Sequence, residues 1–512
     1  MKPSSTDAER SWGGEAVALR PCQQYLWRSH PLLERTGSDV FAALFQSQTG
    51  YSGPAGIAAL LESPYRAPTE LTGHQANEFP GAIARYSICA GAPRTVDGDV
   101  QLWTPEIGYI LPLLRQMEQA LSSASAVPAA VASASEHPDD DLPYVGGWLG
   151  WLGYDFAWEI ERLPWSKEDR LPFPVAFWYE PAEFAVLDHH SQRLWLAAET
   201  SAGLVSMSER VTRPAAKRLL KVGVSNSGAT RSWETQPLVL ETGQTEFEQA
   251  VRRAKSHICA GDVFQVNHSL RFQAQTTAPS WEVYKTLHQI NPSPFASYWH
   301  TPWGSVVSCS PERLVHLRSG VAQSRPIAGT RPRGKTRVED RAIAQELQRD
   351  PKERAEHIML VDLERNDLGR VCKWGSVQVA ELMTVERYSH VMHLVSNVSG
   401  ELQVEQSVAN LVAAMFPGGT ITGCPKVRCM AIIEALEPVR RSLFYGSCGY
   451  FDRRGRLDLN ILIRTLLMTL PVDSRQTVWG QVGAGIVADS DPEREWRESL
   501  QKAKAQLSAL GL

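Results

Sequence analysis

The chain has 512 residues, of which 43% are hydrophobic and 21% charged, a composition typical of a globular protein with a substantial core. Its formal net charge of -4 gives no basic surface for nucleic acid, so we expect a small metabolite as the ligand. No apolar run approaches the roughly 18 residues of a membrane span, and the N-terminus lacks a charged start followed by an apolar segment. These features predict a cytoplasmic protein that binds neither nucleic acid nor membrane.

The N-terminal half alternates short strand and helix patterns. Residues 39–61 predict a helix, a loop with a Gly-Pro turn and a strand. Residues 84–91 predict a β-strand that ends at glycine, and residues 111–121 have helical spacing. The Ala-, Ser- and Asp-rich segment 122–141 cannot bury enough apolar surface to order itself, which predicts a flexible surface insertion within one domain.

The glycines between residues 146 and 153 resemble a phosphate-binding loop only superficially. They are not followed by GKS or GKT, and no GxGxxG pattern follows a strand, so the nucleotide-binding interpretations fail. Close packing of backbones explains these glycines better. The eight cysteines are scattered without a CxxC pair, which is typical of free thiols in a reducing compartment.

A second polar segment, residues 222–241, separates this half from a C-terminal half rich in motifs. Residues 247–259 form an amphipathic helical pattern, and residues 492–510 predict a closing helix. We therefore expect two regions, 1–240 and 241–512, packed together as one two-lobed unit. The patterns alone support a mixed α and β protein with several antiparallel strands.

The C-terminal half carries an ordered set of motifs. In chain order they are GDVFQVNHSLRF, SCSPERLV, RPIAGTRPR, DPKERAEHIMLVDLERNDLGRV, YSHVMHLVS, FPGGTITGCPKVRCM, LDLNILIRT and VGAGIVADSDPEREW. This set resembles the large, chorismate-using subunit shared by anthranilate synthase and aminodeoxychorismate synthase. The resemblance implies an α/β fold in which two large antiparallel β-sheets pack as a sandwich with helices outside. It also implies chorismate as the substrate.

Two pairs of glutamates are candidate metal ligands. Glu353 and Glu356 are three residues apart on one predicted helix, as are Glu495 and Glu498 on another, so each pair shares a helix face. The spacing alone would fit ordinary solvated ion pairs. In the family, glutamates of these two helices bind Mg²⁺, which holds the ring carboxylate of the substrate. The resemblance assigns Glu356 and Glu498 as ligands, and Mg²⁺ prefers such a set of few carboxylates plus substrate.

Further positions match the family's substrate-binding segments. Arg464 corresponds to the arginine that binds the enolpyruvyl carboxylate, and Lys502 would add positive charge near the metal-bound carboxylate. The other expected substrate-binding residues are Gly483, Ala484, Gly485, Thr422, Gly423, Lys426 and Tyr445. The Gly-rich loop that leads into a helix at Pro425 would present backbone amides to an anion.

Five residues bear on the reaction itself. Glu312 matches the general acid for the departing C4 hydroxyl, and His393 matches the histidine of the pyruvate-releasing step. Isochorismate and salicylate synthases have a water-activating lysine where this chain has Gln265, so ammonia is the expected nucleophile. Ala328, in the same motif as Thr330, replaces the lysine with which aminodeoxychorismate synthases attack C2.

Ala328 favours entry of ammonia at C2 and formation of anthranilate. The alternative is aminodeoxychorismate synthase, because segments such as VNHS, NPSPFASYW and SCGY look more like that branch. A third alternative is a catalytically silent, tryptophan-binding subunit, against which the retained acidic and basic residues argue.

Two further expectations concern a partner and a regulator. The chain has no GxCxGHQ-like nucleophile turn, so a separate glutamine amidotransferase subunit should supply the ammonia. The segment ALLESP resembles an element of the family's tryptophan pocket, which implies contacts from Leu61, Glu62 and Ser63. A strand end with a polar turn is the alternative explanation of this segment.

Overall fold

The computed structural model describes residue 19 and residues 24–50, 53–63, 85–124, 140–213, 233–388 and 391–512. The strands of this part are β1 Leu26–Pro31, β2 Ala58–Glu62, β3 Tyr86–Ala90, β4 Thr95–Val96, β5 Asp99–Val100, β6 Leu102–Trp103, β7 Gly147–Leu152, β8 Ala176–Tyr179, β9 Glu183–Asp188, β10 Arg193–Ala198, β11 Val239–Leu240, β12 Gln265–Thr276, β13 Phe295–Thr301, β14 Gly304–Ser310, β15 Arg313–Arg318, β16 Val321–Arg325, β17 Ile327–Pro332, β18 Gln378–Arg387, β19 Val391–Glu401, β20 Gly423–Cys424, β21 Ser447–Asp452, β22 Leu457–Asn460, β23 Thr465–Met468 and β24 Gln476–Ile486. The α-helices are α1 Gly37–Leu44, α2 Ile110–Ala124, α3 Ala157–Ile160, α4 Ser201–Thr212, α5 Gln244–Cys259, α6 Ser280–Ile290, α7 Arg337–Arg349, α8 Pro351–Gly369, α9 Val408–Met415, α10 Lys426–Leu436 and α11 Pro492–Leu510.

Two large sheets contain nearly all of these strands. The first has the order β1-β10-β9-β3-β2-β13-β14-β23-β24-β12-β11, with β20 also paired to β12. The second has the order β17-β19-β16-β15-β22-β21-β7-β8-β6, with β18 also paired to β19. The central pairings are antiparallel, including β2 with β13 and β7 with β21, so strands of both halves of the chain meet within each sheet.

The sheets pack face to face around an aromatic core. Trp151 of β7 and Trp299 of β13 meet edge to face between the sheets, with ring centroids 6.0 Å apart. Along β2, Ala59 belongs to this inner core, whereas Ala58 and Leu60 point to the opposite face. This alternation is what buries both faces of the strand.

Helices cover the outer faces of the sandwich. Helices α5, α6 and α11 pack on the outer face of the first sheet, in a core that includes Phe247 and Trp496. Helix α7 covers the outer face of the second sheet near β18 and β19. The predicted fold class, two antiparallel sheets in a sandwich with helices outside, is confirmed. In the described part of the chain no helix is long and apolar enough to cross a membrane.

Glycines of β7 allow close approach of the neighbouring strands. A Cβ atom on Gly147 would lie 2.3 Å from the carbonyl oxygen of Phe451, and one on Gly150 would lie 2.0 Å from that of Phe177. The interpretation of these glycines as packing residues is confirmed.

The helices that carry the acidic pairs have strong local start signals. The Asp350 carboxylate caps α8 by accepting from the N–H groups of Lys352 and Glu353. Helix α11 begins at Pro492, directly after the N-cap Asp491. It ends at Leu510, so its bounds are those predicted. These signals fix where each glutamate pair lies along its helix.

Two predicted loop segments need comment. Helix α2 continues to Ala124, so the first three residues of the predicted 122–141 insertion are helical. Residues 125–139 lie outside the described part of the chain, as do residues 214–232, which include much of the predicted polar separator 222–241.

Candidate active site

The general-acid candidate Glu312 follows β14 and is almost fully buried, with 5% of its surface exposed. Burial raises the pKa of its carboxyl to about 8, and nearby Glu364 adds to this shift. The Thr420 side chain, the backbone of Ile327 and the Arg464 guanidinium oppose it. Glu312 is therefore protonated near neutral pH, the state that a general acid requires.

His393 of β19 is also buried, beside Thr330. The Thr330 hydroxyl and His393 Nδ1 are 2.9 Å apart, across the pairing of β17 with β19. Burial and, to a smaller extent, the positive charge of Arg464 lower the pKa of His393 to about 3. The imidazole is accordingly neutral in the absence of substrate.

Ala328 lies on β17 between these two groups. Ile327, the residue before it, faces Glu312 through its backbone, whereas Thr330, two residues later, contacts His393. The pairing of β17 with β19 shifts register between Ala328 and Thr330, which marks an irregularity at this point of the strand.

Arg464 approaches the same region from the segment between β22 and β23. Its backbone φ is +50°, which is uncommon for a residue other than glycine, and such strain is typical of functional positions. Nη1 donates to Asn291 Oδ1 at 3.3 Å. Burial lowers the pKa of the guanidinium, while Cys309 and Glu312 counteract this effect. Among the described residues this half-buried guanidinium has one neutral side-chain hydrogen-bond partner, so it can bind an anionic group.

The metal-ligand candidate Glu356 projects from α8 toward β12 and β24. Gln265 Nε2 donates to Glu356 Oε1 at 3.1 Å. A Cβ atom on Gly485 would lie 2.4 Å from Gln265 Nε2 and 3.4 Å from Glu356 Oε1, so glycine is needed to leave this space open. Burial raises the pKa of Glu356, and the neighbouring Glu353 adds to the shift. Gln265 Oε1 is buried and has no hydrogen-bond partner among the described residues.

The second candidate ligand, Glu498, lies on α11 and is exposed. It forms an ion pair with Lys502, whose Nζ is 2.9 Å from Glu498 Oε1 and donates to the carbonyl of Gly483 at 3.0 Å. The charge of Lys502 acts on both Glu356 and Glu495, so α8 and α11 present their acidic residues to a common space. Within the described ranges, no group of three or more His, Cys, Asp or Glu side chains is placed to hold a metal ion.

This arrangement fits Mg²⁺ better than a metal with an all-protein ligand set. Mg²⁺ is bound in many enzymes by one or two carboxylates, with waters and substrate oxygens completing its coordination. Glu356 and Glu498 are carboxylates of this kind, and the space that Gly485 leaves open lies beside Glu356. Glu356 and Glu498 are therefore the residues that would hold Mg²⁺.

The residues of the Gly-rich loop make contacts within the protein, and their contact with substrate stays a prediction. The Thr422 hydroxyl donates to the carbonyl of Gly418 at 2.9 Å. Lys426 forms an ion pair with Asp367, with 2.6 Å between Nζ and Oδ2, and donates to the carbonyl of Met415. Gly423 adopts a φ of +124° where β20 pairs with β12. The lysine charge is thus already satisfied within the protein.

Three other expected substrate-binding residues also pack against neighbouring parts of the protein, and their contact with substrate stays a prediction. A Cβ on Gly483 would lie 2.4 Å from the carbonyl of His268, so its absence permits strand pairing. The methyl group of Ala484 is buried in the outer core. The Tyr445 ring stacks under the Arg441 guanidinium, 4.5 Å from its centroid, and burial raises the pKa of the phenol.

The tryptophan-pocket residues lie at and directly after the end of β2, a strand between β3 and β13 in the first sheet. The Glu62 carboxylate accepts from Ser38 and from the Tyr284 hydroxyl at 2.7 Å. Leu61 and Glu62 line a cavity of about 390 Å³ between the sheets, and the backbone N–H of Ser63 donates to Ser87. Binding of tryptophan there stays a prediction.

Two acidic residues of this region were missed in the motif analysis. Glu364 and Asp367 lie about two and three turns beyond Glu356 on α8, and both are buried. Their spacing of three residues, the same as that of Glu353 and Glu356, was the available signal. A helix face that is acidic and also enclosed becomes evident only when the elements packed against it are known.

Comparison with known proteins agrees with this geometry. The family described as chorismate binding enzyme matches residues 97–508 of the chain. The chain belongs to the chorismate-binding enzyme family. A Synechocystis sp. protein named anthranilate synthase component I-like protein is 54% identical, over 96% of this chain and 93% of its own. Aminodeoxychorismate synthase component 1 of Bacillus subtilis is 44% identical, over 74% of this chain and 78% of its own.

A solved structure supports the same family. The crystal structure of anthranilate synthase component I from Streptococcus pneumoniae has a TM-score of 0.67 and 30% sequence identity to this chain. The similarity covers 86% of this chain and 96% of that one. The resemblance inferred from the motifs is confirmed, and the chain is a chorismate-using enzyme of the component I type.

Proposed function

We propose that the chain is an anthranilate synthase component I, which converts chorismate and ammonia into anthranilate and pyruvate in the presence of Mg²⁺. The observation that carries this proposal is Ala328. It lies between the residues that face Glu312 and His393, and it has no nucleophile for a covalent attack on the substrate. Ammonia can then be the group that attacks C2.

The buried groups suit such a reaction. Arg464 would hold the enolpyruvyl carboxylate, while Glu356 and Glu498 would hold Mg²⁺. When bound, Mg²⁺ would supply positive charge for the ring carboxylate of chorismate. Protonated Glu312 would give its proton to the C4 hydroxyl, which leaves as water when ammonia adds at C2. Neutral His393 would then accept the C2 proton while the enolpyruvyl C–O bond breaks and pyruvate departs.

The source of ammonia would be a separate glutamine amidotransferase subunit. The relatives carry the designation component I or 1, which is consistent with a second component. Free ammonium should replace that subunit in solution, because the nucleophile itself is the same. The amination site can therefore be tested on this chain alone.

Aminodeoxychorismate synthase component I is the second candidate. The 44% identity to the Bacillus subtilis protein of that name favours it, and the chain shares family motifs with both branches. In that reaction ammonia enters at C4 and the enolpyruvyl group remains attached to the ring. Release of pyruvate thus distinguishes the two candidates without separation of the ring products.

The experiment is a continuous assay of pyruvate with chorismate, MgCl₂ and ammonium, in which lactate dehydrogenase oxidises NADH. We expect pyruvate release in proportion to chorismate consumption. Glu498→Gln should abolish the Mg²⁺-dependent rate, and an unchanged circular dichroism spectrum would show that the fold is intact. Chorismate consumption without pyruvate would reject the anthranilate reaction, and full activity of Glu498→Gln would reject the metal assignment.

A further inference from the structure

A buried carboxyl on α8, that of Glu364, has no role in the steps above. Only 4% of the residue is exposed, and its Oε2 has no hydrogen-bond partner among the residues that the structure describes. Enclosing a carboxyl group without such a partner costs free energy, more so when the group is ionised. A chain that needed only packing at this position would be more stable with an apolar residue.

Glu364 and Glu312 flank the same short turn. This turn is the 3₁₀-helix Gly419–Ile421, between α9 and β20. Glu364 Oε1 lies 3.5 Å from the point where a Cβ on Gly419 would stand, and the backbone of Gly419 faces the same carboxyl. The Thr420 side chain, one residue later, faces Glu312. The two acids are close enough for the charge of Glu364 to act on Glu312.

The outer side of Glu364 connects to the protein surface. Asp367, one turn further along α8, forms the ion pair with Lys426 of α10. Both of these residues, with Leu363, line a groove of about 690 Å³ that opens between α8 and the start of α10. Glu364 thus lies between the groove, which reaches solvent, and the enclosed general acid.

The charges around the two acids favour protons near neutral pH. Burial raises the pKa of Glu364 to about 7, Asp367 raises it further and Lys426 opposes the shift. Glu312 faces Glu364 and the cation of Arg464. Glu364 also contacts the side chain of Ser324 on β16, which carries no charge. Two enclosed carboxyls that repel each other as anions titrate as a pair.

We propose that Glu364 is a positioning residue for Glu312: it keeps Glu312 protonated and returns a proton to it after each turnover. This inference rests on the proposed function. When Glu312 protonates the C4 hydroxyl, the C4–O bond breaks, water leaves and Glu312 becomes a carboxylate. Glu364 then gives its proton to Glu312 and regains one from water in the groove. The new C–N bond leaves an ammonium group, which releases its extra proton to solvent.

The test is the pH dependence of kcat for wild type and Glu364→Gln. Total ammonium is adjusted at each pH so that the concentration of free ammonia stays constant. Removal of the neighbouring acid makes ionisation of Glu312 easier, so the decrease in kcat at alkaline pH should move about one pH unit lower. At pH 8 the rate should fall roughly fivefold, with KM for chorismate unchanged.

Two variants separate this role from packing. Glu364→Asp retains a carboxyl group and should restore the wild-type alkaline limit. Glu434→Gln is the matched control. Glu434, on α10, is equally buried, but its carboxylate contacts Ser166 and Lys167. Its alkaline limit should not move. An unmoved limit in Glu364→Gln, or equal shifts in Glu364→Gln and Glu364→Asp, would overturn the inference.

A readout in the free protein keeps the inference separate from the proposed function. The ¹³C carboxyl resonance of Glu312, assigned by its loss in Glu312→Gln, is titrated in wild type and in Glu364→Asp. Coupling of the two acids predicts a biphasic titration in wild type. If the wild-type protein shows this coupling but does not aminate chorismate, only the proposed anthranilate synthase function is rejected. A single, uncoupled transition would reject the role of Glu364 whatever the activity.

Discussion

Replacement of Glu312 by glutamine should remove activity and yet stabilise the protein at alkaline pH. The carboxyl has a folded-state pKa of about 8 against an ordinary value near 4.5. Because folding raises this pKa, the acid contributes its full stability below pH 4.5, and that contribution is lost as the pH rises toward 8. The full difference corresponds to about 5 kcal/mol of unfolding free energy. Water penetration and side-chain relaxation reduce it, and we expect about 2 kcal/mol.

A glutamine side chain at this position does not ionise, but its amide oxygen can still accept a hydrogen bond from the Ile327 backbone. The free energy of unfolding is measured by urea denaturation of wild type and Glu312→Gln at pH 5 and pH 8. We expect the variant to gain about 2 kcal/mol relative to wild type between these two pH values. Its kcat should fall roughly 10²- to 10⁴-fold, the usual effect of losing a general acid. A stability difference that is the same at both pH values would refute the buried-acid explanation.

Three further substitutions test other parts of the site. In Gly485→Ala the added Cβ should displace Gln265, so the Mg²⁺ concentration needed for the half-maximal rate should rise roughly tenfold. In the control Gly369→Ala the added Cβ meets open space, and this concentration should not change. Arg464→Lys should raise KM for chorismate about tenfold or more, because an ammonium group cannot form the planar paired contact of a guanidinium; an unchanged KM would exclude the carboxylate contact. Arg441 forms a buried ion pair with Glu437, with 2.7 Å between Nη2 and Oε1. Arg441→Met leaves that carboxylate unpaired, so urea denaturation should show a loss of about 3–5 kcal/mol; a loss under about 1 kcal/mol would contradict the pairing.

The sequence predicted those elements whose causes are local. Helix α11 is an example, since Asp491, Pro492 and the left-handed Gly511 mark its ends within a few residues. The helix predicted over residues 247–259 lies within α5, which begins three residues earlier at Gln244. The strand predicted over 84–91 is β3. In each case periodicity and capping residues carry the information.

The pairing of strands far apart in sequence could not be predicted in the same way. Strand β2 lies beside β13, more than 230 residues later, and the family resemblance rather than any local pattern indicated such a sandwich. The same limit applies to the site. Lys426 is predicted to contact substrate because it begins a helix after a Gly-rich loop, and no local pattern indicated that it would form an ion pair with Asp367 of another helix. The burial of Glu364 likewise depends on how α8, α9 and the turn at Gly419 pack.

The central claim is that ammonia enters at C2, and product analysis tests it most directly. Purified protein is incubated with chorismate, Mg²⁺ and ammonium at alkaline pH, and the products are separated by chromatography, with a parallel sample treated with aminodeoxychorismate lyase. We predict anthranilate in both samples and no dependence on the lyase. The appearance of 4-aminobenzoate only in the lyase-treated sample would contradict the account, because it would require amination at C4 by a chain that has Ala328 in place of the nucleophilic lysine.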